Sequence, residues 1–268
     1  MAQKRSENTY QKINTIFKRD ANNIIMPYNE FAILELEWLR NCKFDATEKI
    51  DGTNIRIEVV PTIIPDSVTD TWLFVVRYMG KTDNAQIPPH LLKHLEETYP
   101  EEKVLEALGL PKYISGEWMD ERGYEHLEDI PMYTIYGEGY GVKIQAGGNY
   151  IRNGVGFIVF DVKVGDWYLL REAMESVAEK LGAPVVPYMG QFTIDEAIDF
   201  VRTGFKSTIA ENPDYDAEGL VLKTPDGLKT RRGERIIFKV KTCDFRKYRA
   251  KYGTDDPVEQ PQNPNYKG

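Results

Sequence analysis

Residues 44–60 read FDATEKIDGTNIRIEVV, and this stretch decides the fold of the chain around it. Residues 44–50 and 53–60 alternate in polarity as strands do, and Asp51-Gly52 between them is typical of a turn. Lys49 is therefore predicted to lie at the end of a strand, just before a tight turn. A side chain in that position is held on rigid backbone and points into the cleft beside it.

The rest of the chain mixes strands and helices without regular alternation. Further strands are predicted at residues 71–78, 112–118, 132–136, 156–164, 219–223 and 235–241. Helices are predicted at residues 29–41, 88–108 with a break at Pro100, 171–181 and 193–202, and a basic helix near Phe245. This pattern indicates an α+β fold of largely antiparallel sheets flanked by helices.

The organisation along the chain indicates one main domain. A chain of 268 residues can hold one large domain or two small ones. We predict a single domain over residues 1–252 and a flexible tail over residues 253–268, which are rich in Pro, Asn and Gln. No separate C-terminal domain is expected.

Composition favours a soluble protein of the cytoplasm, or of the host cytoplasm if the source is viral. Hydrophobic residues make up 41% and charged residues 28% of the chain, as in ordinary globular proteins. The 2 cysteines cannot form a disulfide framework. No apolar run approaches the ~18 residues of a membrane span, so no membrane partner is expected.

The charge distribution leaves a nucleic-acid partner open. A net charge of −8 argues mildly against one, because phosphate binding normally requires a basic surface. However, basic residues cluster near the end of the chain, at positions 223, 229, 231, 232, 235, 239, 241, 246, 247, 249 and 251. One basic face on an acidic body is compatible with nucleic acid.

Lys49 is the sharpest candidate for a reactive group. A lysine must be neutral to attack phosphorus, and with a pKa near ~10.4 only about one part in a thousand is neutral near pH ~7.4. Neighbouring cations or burial can lower that pKa. Lys239 and Lys241 are candidate cations because a spacing of two in a strand points both to one face. On this motif alone, a solvated lysine at a strand end explains Lys49 equally well.

Four later segments favour a reactive Lys49 over a solvated one. They are Tyr136-Gly137-Glu138-Gly139, Phe160-Asp161, the strand from Glu218 to Lys223, and Lys239-Val240-Lys241. With the Lys49 motif, in this order, they resemble the covalent nucleotidyltransferase superfamily of ATP-dependent ligases and mRNA capping enzymes. The resemblance covers roughly residues 10 to 250 and implies a nucleotidyltransferase (adenylation) domain.

Two features make the chain most similar to RNA ligases of the T-even phage RNA ligase 2 type and to kinetoplastid editing ligases. Asn54 stands where DNA ligases and capping enzymes more often have Arg. The run at residues 137–145, GEGYGVKIQ, with Tyr150 after it, also favours that branch.

The resemblance implies roles for the basic residues and for one carboxylate. Lys49 attacks the α-phosphate of ATP, the AMP moves to a 5′-phosphate, and a 3′-hydroxyl then displaces it. Lys239 and Lys241 contact the α-phosphate, and Lys223 faces the nucleotide phosphate. Glu218 holds a hydrated Mg²⁺, for which Mn²⁺ can substitute.

Further residues are implied to bind the nucleotide. Phe160 stacks on adenine with Asp161 beside it, and Glu48 reads the adenine edge. Glu138 works at the ribose or the metal, and Asn54 orders the metal's water molecules.

Two assignments have competitors in the sequence. The family has a basic residue, usually Arg, that contacts the 5′-phosphate; here Arg77 and Lys81 compete, and we prefer Lys81 because small polar neighbours suit a phosphate-facing loop. For the second assignment, Glu117 competes with Glu138, because its Ser-Gly-Glu sequence also resembles the motif that contains Glu138. Glu138 is preferred because only it precedes the Gly and Ile-Gln pattern.

The resemblance therefore predicts an ATP-dependent RNA ligase with nicked or double-stranded RNA, or RNA/DNA, as its partner. The alternatives are a DNA ligase or capping-type guanylyltransferase with the same lysine chemistry, and a non-catalytic nucleotide- or RNA-binding module. We expect a monomer, whose hold on a duplex is weak unless an accessory protein supplies a clamp. Self-adenylation is expected to be stronger than end joining.

Overall fold

The computed structural model describes residues 9–26, 31–65, 70–145 and 147–253. Within these ranges ten strands, β1 to β10 in chain order, comprise Asn14–Thr15, Phe44–Glu48, Thr53–Ile64, Thr71–Met79, Tyr133–Gly141, Val155–Val164, Trp167–Tyr168, Tyr188–Phe192, Gly219–Lys223 and Ile237–Lys241. In the same ranges seven α-helices, α1 to α7, comprise Glu35–Trp38, Pro89–Thr98, Glu101–Leu108, Gly116–Asp120, Arg171–Leu181, Ile194–Arg202 and Thr242–Tyr252. The tail predicted at residues 253–268 lies outside the described residues, apart from Gly253.

The chain forms two compact units, and each contains one five-stranded sheet. Unit 1 comprises Met1–Tyr10 and Asp51–Val185, and unit 2 comprises Gln11–Ile50 and Val186–Gly268. All pairs of named strands are antiparallel except β1 with β10. The predicted α+β class with antiparallel sheets and flanking helices is confirmed. Among the described residues, no helix is both long and apolar enough to cross a membrane.

The unit 2 sheet has the strand order β1-β10-β9-β2-β8. Leu222 and Phe238, which are paired across β9 and β10, lie in the apolar core of this unit. Since side chains alternate along a strand, Lys223, Lys239 and Lys241 share the opposite face. Three basic side chains are thereby concentrated on one surface of the sheet.

The unit 1 sheet has the order β4-β3-β5-β6-β7. Ile55 and Ile57 of β3 pack in the core of this unit, against helices and neighbouring strands. Asn54, Arg56 and Glu58 alternate with them and point to the opposite face. This sheet therefore also has one apolar and one polar face.

A β-bulge in β6 gives the polar face of the unit 1 sheet two adjacent side chains. Tyr136 of β5 pairs with Asp161, but the next residue of β5 pairs with Val159, so that Phe160 is the extra residue. Val159 and Val162 both point into the core. Phe160 and Asp161, which lie between these two valines, therefore both point away from the core. A bulge permits this because it changes the direction of the side chains along the strand.

The helix predicted at residues 29–41 is wrong in its extent and in its buried face. Residues 29 and 30 lie outside the described residues, and α1 covers only Glu35–Trp38. Leu34 and Trp38, which would share the apolar face of the predicted helix with Phe31, are 66% and 86% exposed.

The positions of the side chains that are buried explain the error. Phe31 forms an antiparallel bridge with Phe17, and both Phe31 and Leu36 lie in the unit 2 core. In one continuous helix, side chains five positions apart would point about 140° away from each other. Because Phe31 is extended and Leu36 lies in the short helix that follows, both side chains can reach the same core.

The strand predicted at residues 112–118 is also wrong. Tyr113 makes only an isolated bridge with Leu73. Ser115 then caps α4, because its hydroxyl accepts a hydrogen bond from the backbone N–H of Trp118 at 3.2 Å. The cap turns the chain into a helix where strand propensity favours extension.

Candidate active site

Lys49 directly follows β2 and is anchored by backbone pairing within unit 2. Its backbone N–H donates to the carbonyl of Gly219 at 2.8 Å, which continues the pairing between β2 and β9. Its side chain is 20% exposed. The lysine is thus fixed at its backbone, and its side chain remains partly exposed.

One carboxylate binds two lysine side chains in unit 2. Lys49 Nζ lies 2.5 Å from Glu218 Oε2, and Lys241 Nζ lies 2.6 Å from Glu218 Oε1. The side chains of Glu218 and Lys241 are 15% and 25% exposed. We call Lys49, Glu218 and Lys241 the lysine–glutamate cluster.

Electrostatics keeps Glu218 and Lys241 charged. Burial by itself would raise the pKa of Glu218, but Lys49 and Lys241 together hold that pKa below its ordinary value. Burial would lower the pKa of Lys241, but the hydrogen bond and charge of Glu218 raise it above its ordinary value. In this arrangement the Lys49 amine donates a hydrogen bond to Glu218.

Gly219 allows the close strand pairing that presents Glu218. It is paired with Lys241 and has a φ of +149°, a conformation that favours glycine. A Cβ atom at this position would lie 2.0 Å from the carbonyl oxygen of Val240. Thr242 N–H donates to the Glu218 carbonyl at 3.0 Å and fixes the backbone on the other side.

Lys223 and Lys239 lie on the face that also carries Lys241. Lys239 is paired with Val221 of β9, and Lys223 with Ile237 of β10. Both lysine side chains are half-buried. Of the cations predicted around Lys49, Lys241 shares its carboxylate, while Lys239 and Lys223 lie further along the same face.

Glu48 is buried and bound by residues that the sequence did not single out. It is only 1% exposed, and Ser207 Oγ donates to its Oε1 at 2.5 Å. Thr208 donates to Oε2 from its backbone N–H at 2.9 Å and from its hydroxyl at 2.7 Å. A contact of Glu48 with adenine stays a prediction. No motif marks Ser207 and Thr208, because their partner lies far away in sequence.

In unit 1, Asn54 and Glu138 are direct neighbours across β3 and β5. The side-chain oxygen of Asn54 is buried and has no hydrogen-bond partner within the described part of the chain. An unsatisfied buried acceptor costs about 1–3 kcal/mol, so it is typically completed by water or a ligand. The competing Glu117 is exposed in the first turn of α4, on no strand.

Phe160 and Asp161 contact a residue from the start of the chain. Tyr10 donates from its hydroxyl to Asp161 Oδ2 at 2.5 Å, and both residues are buried. Its ring meets that of Phe160 edge-on, with centroids 5.0 Å apart. Sequence reasoning missed Tyr10, which stands next to a polar stretch without a motif.

Lys81 and Arg77, the competing phosphate contacts, both have exposed side chains. Arg77 projects from β4 opposite Glu58 of β3. Lys81 lies in the connection between β4 and α2, two residues after Met79. Lys81 thus lies in a loop outside the named strands, whereas Arg77 is paired with Glu58 within the sheet.

The donor set fits a hydrated magnesium ion better than a metal enclosed by protein. Among the described residues there is no group of three or more His, Cys, Asp or Glu side chains that could hold a metal. Mg²⁺ typically keeps several waters and takes one or two carboxylates plus phosphate oxygens. Glu218 can supply one such carboxylate.

Comparisons with known proteins give one family and one group of solved structures. A family model described as RNA ligase matches residues 43–241. No curated protein sequence matches the chain.

Three of the similar solved structures are of Naegleria gruberi RNA ligase. A lysine-to-alanine mutant with ATP and Mn is 16% identical, with a TM-score of 0.51, over 92% of this chain and 63% of that one. A lysine-to-methionine mutant with AMP and Mn is 18% identical, with a TM-score of 0.50, over 90% and 61%. The ligase with PPi is 17% identical, with a TM-score of 0.50, over 91% and 64%. Identities this low show a shared fold, and the chain spans less than two thirds of the length of those ligases.

Proposed function

This chain belongs to the RNA ligase family, and from that premise we propose that it is an ATP-dependent RNA ligase. It joins 3′-hydroxyl and 5′-phosphate ends through a lysyl-AMP and an adenylylated 5′-end. The observation that carries the proposal is the lysine–glutamate cluster, in which a partly exposed lysine shares a carboxylate with a second lysine.

In the first step the amine of Lys49 attacks the α-phosphorus of ATP, and pyrophosphate leaves. Lys239 and Lys241 offset the negative charge that develops on the phosphoryl oxygens. Lys49 must first exchange its bond to Glu218, which requires Glu218 to turn to another partner. The face shared by Lys223, Lys239 and Lys241 offers cationic contacts to the phosphates.

Glu218 is the residue that would hold Mg²⁺ when nucleotide is bound. The ion would supply charge neutralisation at the phosphates. Naegleria gruberi ligase structures with ATP and Mn and with AMP and Mn support the use of ATP and a divalent metal. The unsatisfied oxygen of Asn54 is suited to accept a hydrogen bond from a water molecule.

The nucleotide base and sugar are assigned to Glu48, Glu138, Phe160 and Asp161. Phe160 is assigned to stack on adenine, and the bulge of β6, which turns its side chain away from the core, supports this assignment. Glu138 works at the ribose or the metal. The hydrogen bond from Tyr10 fixes the orientation of Asp161.

In the second step an oxygen of the RNA 5′-phosphate attacks the phosphorus of the lysyl-AMP, and the Lys49 amine leaves. In the third step the 3′-hydroxyl attacks the 5′-phosphate, and AMP leaves. All steps are in-line displacements, so the protein contributes positioning and charge. Lys81 is assigned to the 5′-phosphate.

Incubation with labelled ATP or GTP, Mg²⁺ and no RNA tests the assignment. We expect a covalent adduct with ATP and none with GTP. A guanylate adduct would instead indicate capping-type chemistry, and the absence of any adduct would indicate a non-catalytic binding module.

Ligation over a matched panel of nicked and single-stranded RNA, DNA and mixed ends tests the substrate. We expect joining of RNA 3′-hydroxyl ends, with a nicked duplex preferred. Efficient sealing of all-DNA nicks and none of RNA nicks would contradict the proposal. A monomeric state, an accessory protein and a cytoplasmic location stay predictions.

A further inference from the structure

Arg56 is a fully buried arginine on the polar face of the unit 1 sheet. Its side chain is 0% exposed, and it is among the largest fully buried side chains of the described residues. A guanidinium is always charged, and burying it is unfavourable unless each donor finds a partner. Apolar residues of similar size would often stabilise such a position equally well. The arginine therefore points to a requirement for defined geometry.

Each nitrogen of the Arg56 guanidinium donates to a different group. Nη1 donates to Glu58 Oε1 at 2.7 Å, a contact within β3. Nε donates to the backbone carbonyl of Gly80 at 2.8 Å, and Nη2 donates to Asp83 Oδ1 at 2.9 Å. Two of the three bonds thus reach the connection between β4 and α2.

Those two bonds flank Lys81. Gly80 immediately precedes it, and Asp83 follows it by two residues. The connection is further closed by the N–H of Ala85, which donates to the Thr82 carbonyl at 2.9 Å. A Cβ atom at Gly80 would lie 2.8 Å from the carbonyl oxygen of Ala85. The backbone that carries Lys81 is therefore tied down on both sides of it.

We propose that Arg56 is a positioning residue that holds the Lys81 loop, residues 80–85, so that Lys81 meets the 5′-phosphate of RNA during AMP transfer. Arg56 cannot touch RNA itself because it is fully buried. Its effect passes through Gly80 and Asp83 to the lysine between them. The inference rests on the proposed function. It adds to that function a residue, Arg56, that holds the phosphate-binding Lys81 in position.

The loop must be ordered before RNA binds if Lys81 is to act. A flexible lysine would lose side-chain and backbone freedom on meeting the phosphate, and small displacements at a phosphoryl-transfer site slow the reaction strongly. The planar Arg56 guanidinium donates three hydrogen bonds in fixed directions, so it sets both the orientation and the distance of its partners. The ammonium group of a lysine does not have this fixed planar geometry. Arg56→Lys is accordingly expected to be impaired although it preserves the charge.

The test separates AMP transfer from self-adenylation. Enzyme already carrying AMP is mixed with 5′-phosphorylated nicked RNA, and transfer is followed in a single turnover. Because Arg56 variants risk misfolding, the main variants are at Asp83, whose side chain is 53% exposed. Asp83→Ala removes the acceptor, and Asp83→Asn keeps an oxygen in its place. Arg171→Ala, which removes a pair with Glu175 on α5, is the control.

We expect Asp83→Ala to slow AMP transfer roughly tenfold or more, with self-adenylation within about twofold of the unmodified protein. Asp83→Asn should restore most of the transfer rate, and Arg171→Ala should change neither step. In a Lys81→Ala background, Asp83→Ala should slow transfer no further, since the loop then has no lysine to position.

Two results would overturn the inference: normal transfer by Asp83→Ala, or a full additional loss in the Lys81→Ala background. If the unmodified protein formed no adenylate, the proposed function itself would fail. Adenylate formation together with either of those two results would reject only the role of Arg56.

Discussion

Lys49 and Lys241 share one carboxylate, so Glu218 binds two cationic partners at the same time. Side-chain spacing correctly indicated that Lys239 and Lys241 point to one face. It could not indicate that Glu218 would bridge Lys49 and Lys241, because that contact depends on the pairing of β2, β9 and β10. The shared carboxylate makes Glu218 the residue whose loss should affect both chemistry and stability.

Glu218→Gln should reduce the rate of self-adenylation about a hundredfold or more, because it removes the proposed metal ligand. It should also lower the free energy of unfolding by about 1–3 kcal/mol, since two partly buried lysines lose an ionised acceptor. Single-turnover adenylation and urea denaturation measure the two effects. Glu37→Gln, an exposed change on α1, should alter neither.

The stability difference between the unmodified protein and Glu218→Gln should depend on pH in a defined way. The pKa of Glu218 is lowered from 4.5, so its stabilisation is fully present above pH 4.5 and is lost as pH falls through the lower folded value. The pKa of Lys241 is raised from 10.5, so its contribution is fully present below pH 10.5 and is lost as pH rises through the higher folded value. A Tm difference that grew on acidification below pH 4.5 would contradict this pairing.

At the scale of elements, local patterns predicted the structure where local interactions decide it. The helix predicted at residues 171–181 is Arg171–Leu181 in the structure, and the strand predicted at 219–223 is Gly219–Lys223. The failures have distant causes, as Phe31 pairs with Phe17 instead of continuing a helix. β8, Tyr188–Phe192, was missed because its glycine and polar residues resemble a loop, and only pairing with β2 makes it a strand.

The same distinction holds for the candidate site. The order of the short motifs singled out Lys49, Glu218 and Lys241, and the structure brings these three side chains into contact. The partners of other site residues come from distant segments, as with Tyr10 at Asp161. A single sequence carries no signal for such contacts, since neither spacing nor periodicity relates the two positions.

One element offers a direct test of local reasoning. α6 begins with a capping box, in which Thr193 Oγ1 accepts from the N–H of Glu196 at 3.3 Å and Glu196 accepts from the N–H of Thr193 at 2.6 Å. Thr193→Ala should lower the free energy of unfolding by about 1 kcal/mol and the Tm by about 2–4 °C. Ser176→Ala, exposed within α5, should not be destabilising. A Thr193→Ala variant as stable as Ser176→Ala would show that the cap contributes little.

At the scale of the whole molecule, an acidic protein is proposed to bind a polyanion. The net charge is −8, but unit 2 has two groups of exposed basic side chains. They lie at positions 229, 231 and 232 and at positions 246, 247 and 249. Local field governs encounter with phosphate more than net charge does. Binding to RNA should therefore be electrostatic and sensitive to salt.

The affinity for a nicked RNA duplex should fall at least about tenfold between roughly 50 and 200 mM salt, as neutralisation of about two phosphates requires. Equilibrium binding with labelled duplex at several salt concentrations measures the slope. Charge reversal of an exposed pair, Arg246→Glu with Lys247→Glu, should weaken binding further at low salt. An affinity that is independent of salt would contradict an electrostatic RNA contact.

Covalent attachment of AMP to Lys49 is the claim on which the account depends. The most direct measurement is the intact mass of the protein after incubation with ATP and Mg²⁺, followed by peptide mapping of the modified residue. We predict one added AMP, located on Lys49, no adduct on Lys49→Ala, and a normal adduct on Lys180→Ala, which removes an exposed lysine of α5. An adduct that persists in Lys49→Ala, or that maps to another residue, would contradict the account.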